Sequence, residues 1–194
     1  SIYRPLQAGS CRGAVMGVII EESGLRFGEY HENQVFQIET SEQYTKSLRQ
    51  NGIKTCEFIL RKGTKLYFFE AKQSCPRQIM KDIPDNEKEE KKKRYDEFIQ
   101  EIVLKMRHSL SLYGNILLKQ YSQDKVPEKL VNPDLSKTQI SLVLVINPQE
   151  GDWEPEPELR DDLQLHLKDE MKIWKIQSLV VITPQQAREK HFII

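Results

Sequence analysis

Apolar and polar positions fall in blocks along this chain, and the blocks read as secondary-structure elements. Ala14 to Ile20 (AVMGVII) is a continuous apolar run of strand length, and Val35 to Ile38 is a second, shorter one. Ser41 to Gln50 has a Ser at its front, few β-branched residues and Asn51-Gly52 behind it, which predicts a short helix with an N-cap and a glycine stop. Ile53 to Leu60 and Lys65 to Lys72 are apolar-rich runs on either side of Arg61-Lys62-Gly63-Thr64, a hairpin pattern. From Asp85 to about Tyr113 the apolar residues fall at Tyr95, Phe98, Ile99, Ile102, Val103, Met106 and Leu110. That helical period predicts a long amphipathic helix ending near Gly114. Tyr121 to Lys137, polar and Pro-containing, reads as a loop. Gln139 to Ile146 (QISLVLVI) is the unbroken β-rich run expected of a strand buried on both faces. Glu158 to Trp174 carries Leu159, Leu163, Leu167, Met171 and Trp174 on one helical stripe, and Ser178 to Thr183 is a last buried strand before a short tail.

This order predicts an α/β fold in which a mixed central sheet, part hairpin and part parallel crossover, is flanked by helices. The 194 residues fit one domain with a real core, and the 38% hydrophobic and 30% charged fractions fit a water-soluble protein. No apolar run approaches the roughly 20 residues that cross a bilayer, and the opening Ser1-Ile2-Tyr3-Arg4-Pro5 lacks the apolar region of a signal peptide. The three cysteines, Cys11, Cys56 and Cys75, form no pairing pattern, so a reducing, cytoplasmic setting is expected.

Zero net charge conceals an asymmetry. Between Gln43 and Lys81 nine Lys or Arg stand against two acids, Glu57 and Glu70; from Asn147 to Glu170 nine acids stand against two bases. One reading is a basic face for a polyanion; the other is solvated surface of no further meaning.

The hairpin carries the chemistry. With Gly63-Thr64 as a two-residue turn, Gly at the first central position suits type II′. Lys62 then pairs with Lys65, Leu60 with Tyr67, and Glu57 with Glu70. Side chains alternate along a strand, which puts Lys72 on the face of Glu70. Two carboxylates opposed in an apolar strand pair are both repulsive and desolvated. A divalent cation between them removes the conflict; Lys72 eases it but does not fill both sites. Acid-x-Lys occurs four times here, at Glu70, Glu89, Glu90 and Glu170, and Glu70 alone ends a predicted strand.

Glu57, followed by Glu70-Ala71-Lys72 at the end of the next strand, resembles the PD-(D/E)XK nuclease superfamily, the restriction-endonuclease-like fold. The resemblance covers roughly 41–147 and implies an α-β-β-β-α-β core. The whole of 1–194 would then be one nuclease-like domain, with 1–40 a strand extension, 41–147 the core and 148–194 a helix–strand unit. It implies that Glu57 and Glu70, with the Ala71 carbonyl, ligate Mg²⁺ or Mn²⁺, and that Lys72 orients the attacking water and meets charge growing on the phosphate. Gln73 is an auxiliary position, and the acid expected from the preceding helix is Glu42 or Glu39. The first acid is Glu rather than the commoner Asp, no Pro precedes it, and no Gln-x-x-x-Tyr element is evident.

The resemblance thus implies a metal-dependent nuclease acting on DNA or RNA, with no membrane partner, within a larger nucleic-acid-processing or defence system. Lys54, Arg61, Lys62 and Arg77 would hold the phosphate backbone. The alternative is an inactive nuclease-like domain that binds nucleic acid, or docks a basic protein through 147–170. A structural Glu–Lys pair on a sheet rim is the plainest reading of the same residues. His31, His108, His166 and His191 are scattered and build no zinc motif, and Cys56 reads as core. Gly13 and Gly17 form no phosphate loop, and Trp153, Trp174, Tyr67 and Phe69 read as packing.

Overall fold

The structure, a computed structural model, describes residues 2–5, 16–76, 84–148 and 155–194. Three antiparallel strands, β1 (Ile2–Pro5), β2 (Met16–Glu22) and β3 (Leu25–His31), form an N-terminal sheet in that order. The main sheet has the order β4 (Val35–Phe36), β5 (Phe58–Lys62), β6 (Lys65–Lys72), β7 (Gln139–Ile146) and β8 (Ser178–Ile182). β4, β5 and β6 pair antiparallel with one another; β6, β7 and β8 pair in parallel through helical crossovers. The fold is therefore α/β with a mixed central sheet flanked by helices.

The Gly63-Thr64 turn fixes the register. Lys62 lies opposite Lys65 and Leu60 opposite Tyr67, with positive φ (57°) at Gly63 alone of the two turn residues. Once that is set, strand alternation sends each side chain of β5 and β6 to one of two cores. Ile59, Leu66 and Phe68 face the long helix α2 (Asp85–Leu117), together with Ile140, Leu142 and Leu144 of β7 and Leu159 and Leu163 of α4 (Pro157–His166). Phe58, Leu60, Phe69 and Ala71 face the N-terminal sheet, where Val18, Ile20, Leu25, Phe27 and Tyr30 cover them. Phe58 stacks on Phe69 at 4.7 Å, and Phe27 and Phe192 meet that pair edge-on. Each such pair adds about 0.5–1.5 kcal/mol beyond its burial. The N-terminal strands are thus a lid sealed onto the sheet.

Several elements differ from their expected bounds, for identifiable reasons. The helix expected at Ser41–Gln50 is one turn, α1 (Glu42–Thr45), then a 3₁₀ turn at Arg49–Asn51 stopped by Gly52 at φ 75°. The run from Ile53 is not strand until Phe58, because α2 side chains take two of its backbone groups before then: Lys54 N–H donates to His108 Nδ1 and Cys56 N–H to Ser109 Oγ. Gly114 does not end α2, which continues to Leu117. A Cβ there would lie 2.6 Å from the Trp174 ring, so the glycine is a notch for that indole. The Tyr121–Lys137 loop contains a short helix, α3 (Glu128–Val131), pinned by buried Leu130. The helix expected at Glu158–Trp174 breaks at buried Leu167 into α4 and α5 (Lys168–Ile173). Thr183 is not strand but the N-cap of α6 (Pro184–Glu189), through a capping box with Gln186, so the tail is ordered structure. Between 41 and 147 the described order has two strands between its helices where α-β-β-β-α-β has three; the remaining antiparallel strand, β4, precedes α1.

Candidate functional site

Glu57 precedes β5 by one residue, and its N–H continues the ladder by donating to Phe69 O at 2.9 Å. The register therefore carries Glu57 and Glu70 onto the α2 side of the sheet, beside one another. Glu70 is fully buried and Glu57 nearly so. The cation between them is Lys105 of α2, whose Nζ lies 2.8 Å from Glu70 Oε1 and 3.2 Å from Glu57 Oε1. Lys72, half-buried at the end of β6, shares the Glu70 carboxylate at 3.5 Å and is held at 2.7 Å by Glu101, one helical turn before Lys105. Burial alone would lower the Lys105 ammonium, but the carboxylates of Glu70 and Glu57 outweigh it and hold Lys105 above its ordinary value. Burial likewise favours a neutral Glu101, and the Lys72 bond overrides it and keeps that carboxyl low.

On its other side Glu57 meets further acids. One carboxylate oxygen each from Glu22, Glu39 and Glu57 lies within 4.8 Å of the others. Glu22 ends β2, and Glu39 sits in the 3₁₀ turn Ile38–Thr40 just before α1. Desolvation, then a hydrogen bond with Glu39 and the nearby Glu70 charge, push the Glu57 carboxyl up to about 9, so at neutral pH it keeps a proton. Burial also raises Glu70, whose Oε2 has no hydrogen-bond partner among the described residues. The Glu22, Glu39 and Glu57 oxygens together could hold a metal ion. Hard oxygen donors at this spacing fit Mg²⁺ or Mn²⁺.

Of the two alternatives for the helix-borne acid, the structure brings in Glu39. Glu42 is corrected out of the site: it lies on the surface, where hydrogen bonds from Lys125 and Lys46 hold its carboxyl down to about 2. The Ala71 carbonyl accepts Ser23 Oγ–H at 3.0 Å, and Gln73 is exposed just past β6. Lys54 is exposed and near enough to Glu101 to lower its pKa. Arg61 and Lys62 are at the turn end of the hairpin, away from the carboxylates. Arg61 donates to Lys129 O and Gly63 O. Lys62 donates to His191 O and lies over the Tyr30 and Phe192 rings. Arg77 lies outside the described residues. Cys56 is core, as its type suggests, with burial raising its thiol.

Glu22, Glu101 and Lys105 are members of the site that the motif does not contain. Only Lys105 left a trace in the sequence, being seven residues from both Phe98 and Leu112 and hence on the apolar stripe of α2. Among the described residues no helix is long and apolar enough to cross a membrane. Set against protein-family models, curated proteins and solved structures, the chain matches none of them.

Proposed function

We propose that this chain is a metal-dependent nuclease of the PD-(D/E)XK type, hydrolysing phosphodiester bonds of nucleic acid at the Glu57–Glu70–Lys72 centre. The observation that carries this reading is the approach of the Glu39 and Glu57 carboxyls, with buried Glu70 sharing Lys105 with Glu57 and lying beside a positioned Lys72. Glu39, Glu57 and Glu70 would hold Mg²⁺ or Mn²⁺. The ion would supply Lewis acidity toward a phosphoryl oxygen and a lowered pKa for its water.

The chain's own residues have separable roles. Lys72 brings a fixed positive charge to where negative charge grows on the phosphate, and Glu101 sets the direction of its ammonium. Lys105 locks the Glu57 and Glu70 carboxyls side by side, which spares the metal-free fold most of their repulsion. Glu57, which keeps a proton in the metal-free fold, would give it up on holding the ion, so loading would be coupled to proton release. Lys54, exposed and close enough to Glu101 to lower its pKa, is suited to a phosphate of the substrate backbone.

Lys105 also favours a second reading. An ammonium already seated between Glu57 and Glu70 is what an inactive, nuclease-like binding domain would keep in place of a metal. One experiment separates the two. Purified protein is incubated with single- and double-stranded DNA and RNA in Mg²⁺, Mn²⁺ or EDTA, beside Lys72→Ala. Cleavage that needs the metal and is lost in Lys72→Ala, with the melting temperature kept, supports the nuclease. Cleavage by Lys72→Ala at the wild-type rate refutes the assigned role, and no cleavage with retained binding supports the second reading.

A further inference from the structure

The N-terminal sheet does more than cover the core. Its β2–β3 hairpin turns at Ser23-Gly24, both with positive φ (50° and 76°), and the tip reaches the C-terminal end of β6 and β7. There it is fastened twice: Ser23 Oγ–H donates to Ala71 O at 3.0 Å, and Asn147 Nδ2 donates to Ser23 O at 2.9 Å. Ala71 is the middle residue of the acid-x-Lys sequence, so the hairpin is tied to the strand that carries the chemistry. The residue delivered by this tie is Glu22. One of its oxygens accepts Ser23 N–H at 3.2 Å, and the carboxyl as a whole joins Glu39 and Glu57.

Charge accounting shows what this corner lacks. Lys105 serves Glu57 and Glu70, and Lys72 serves Glu70 and Glu101. Among the described residues neither Glu22 nor Glu39 forms a salt bridge, whereas Glu21, one position back and exposed, pairs with Arg26 at 3.6 Å. Glu70 adds an independent sign. It is fully buried, Lys105 ties its Oε1 to the Glu57 side of the cluster, and its Oε2 is without a partner among the described residues. That carboxylate adjoins the cluster at Glu57, with which it shares the Lys105 ammonium, and its open, buried oxygen is an acceptor that the lysines do not fill.

We infer that Glu22 is a ligand of the divalent cation, so that the metal centre is shared between the N-terminal hairpin and the main sheet rather than built from the hairpin motif alone. Oxygen ligands and the small spread of the cluster select Mg²⁺ or Mn²⁺. Ser23 is then a positioning residue, holding Glu22 against Ala71. The inference rests on the proposed metal-dependent reading, and extends it to a strand pair outside 41–147.

Mn²⁺ binding to the full chain, measured by calorimetry at pH 7.5 without nucleic acid, tests it. Glu22→Gln should weaken Mn²⁺ binding at least tenfold, Ser23→Ala several-fold, and the neighbouring Glu21→Gln not at all, with metal-free melting temperatures unchanged or raised for Glu22→Gln. Should Glu22→Gln fail to fold, Ser23→Ala carries the same comparison. Wild-type affinity in both Glu22→Gln and Ser23→Ala, with affinity lost in Glu57→Gln, overturns the role of Glu22 and leaves the metal reading standing. Absence of Mn²⁺ binding by the wild-type protein at millimolar concentration overturns both.

Discussion

Replacing Glu57 with Gln should stabilise the metal-free protein, and by an amount that depends on pH. The folded protein holds the Glu57 proton up to about pH 9, against an ordinary value of 4.5. A carboxyl raised in this way binds a proton in the folded state that the unfolded chain has already released. Stability therefore falls as pH climbs through that window and is fully present only below it. At about 1.36 kcal/mol per pH unit, the loss is roughly 3 kcal/mol at pH 7 and roughly 6 kcal/mol above pH 9. Gln mimics the protonated carboxyl without titrating: its oxygen can accept from Lys105 and its amide can donate to Glu39, the two contacts Glu57 makes. The variant should match the wild type near pH 5 and exceed it by roughly 3 kcal/mol at pH 7, or roughly 6–12 °C in melting temperature for a chain of this size. Urea unfolding of both proteins in EDTA from pH 5 to 8.5 measures this. Adding Mn²⁺ should narrow the gap by raising the wild type alone. A variant no more stable than the wild type at pH 8, or a gain that stays constant down to pH 5, would refute the account of Glu57 as a strained, proton-holding ligand and leave it a structural partner of Lys105.

Two further outcomes follow from the packing. Lys105→Met should lower stability by about 3–5 kcal/mol at pH 7.5, because buried Glu70 and Glu57 lose their common partner; the deficit should shrink as pH falls and the Glu70 carboxyl, raised by burial, takes up a proton, which urea unfolding at pH 7.5 and pH 5 checks. Gly114→Ala should destabilise the protein despite the roughly 1 kcal/mol that Ala gains over Gly inside a helix. The new Cβ would stand 2.6 Å from Trp174 and evict the indole, which a red shift in tryptophan fluorescence reports.

The sheet and the opposed carboxylates were legible in the sequence because local chemistry determines them. Gly63 permits one tight turn, that turn sets the register, and the register with a two-residue side-chain period puts Glu57, Glu70 and Lys72 on one face. Helix ends were less legible because packing overrode propensity. Gly114 reads as a stop from its backbone freedom, yet it is retained inside α2 to admit Trp174, a residue sixty positions away. The same limit applied to Ile53–Cys56, whose strand-like composition says nothing of the His108 and Ser109 side chains that take the Lys54 and Cys56 N–H groups.

The larger omission was Lys105, and its location explains why the carboxylate conflict had a different first answer from the expected one. Opposed acids in an apolar ladder require positive charge, and from the hairpin alone only Lys72 or a metal ion could supply it. A lysine on the buried stripe of a helix carries the mirror-image requirement: it must find acids or lose its proton. Glu57 and Glu70 on the sheet and Lys105 on α2 are two halves of one constraint, and meeting it fixes how α2 lies across the strands. The ammonium is shared between two carboxylates and reaches only their Oε1 atoms. Glu70 Oε2 stays open, and Glu57 turns to Glu39 and Glu22 for a shared proton and a close contact. The carboxyls of Glu22 and Glu39 converging on Glu57, beside a pair already bridged by Lys105, are what distinguish this centre from an ordinary buried ion pair.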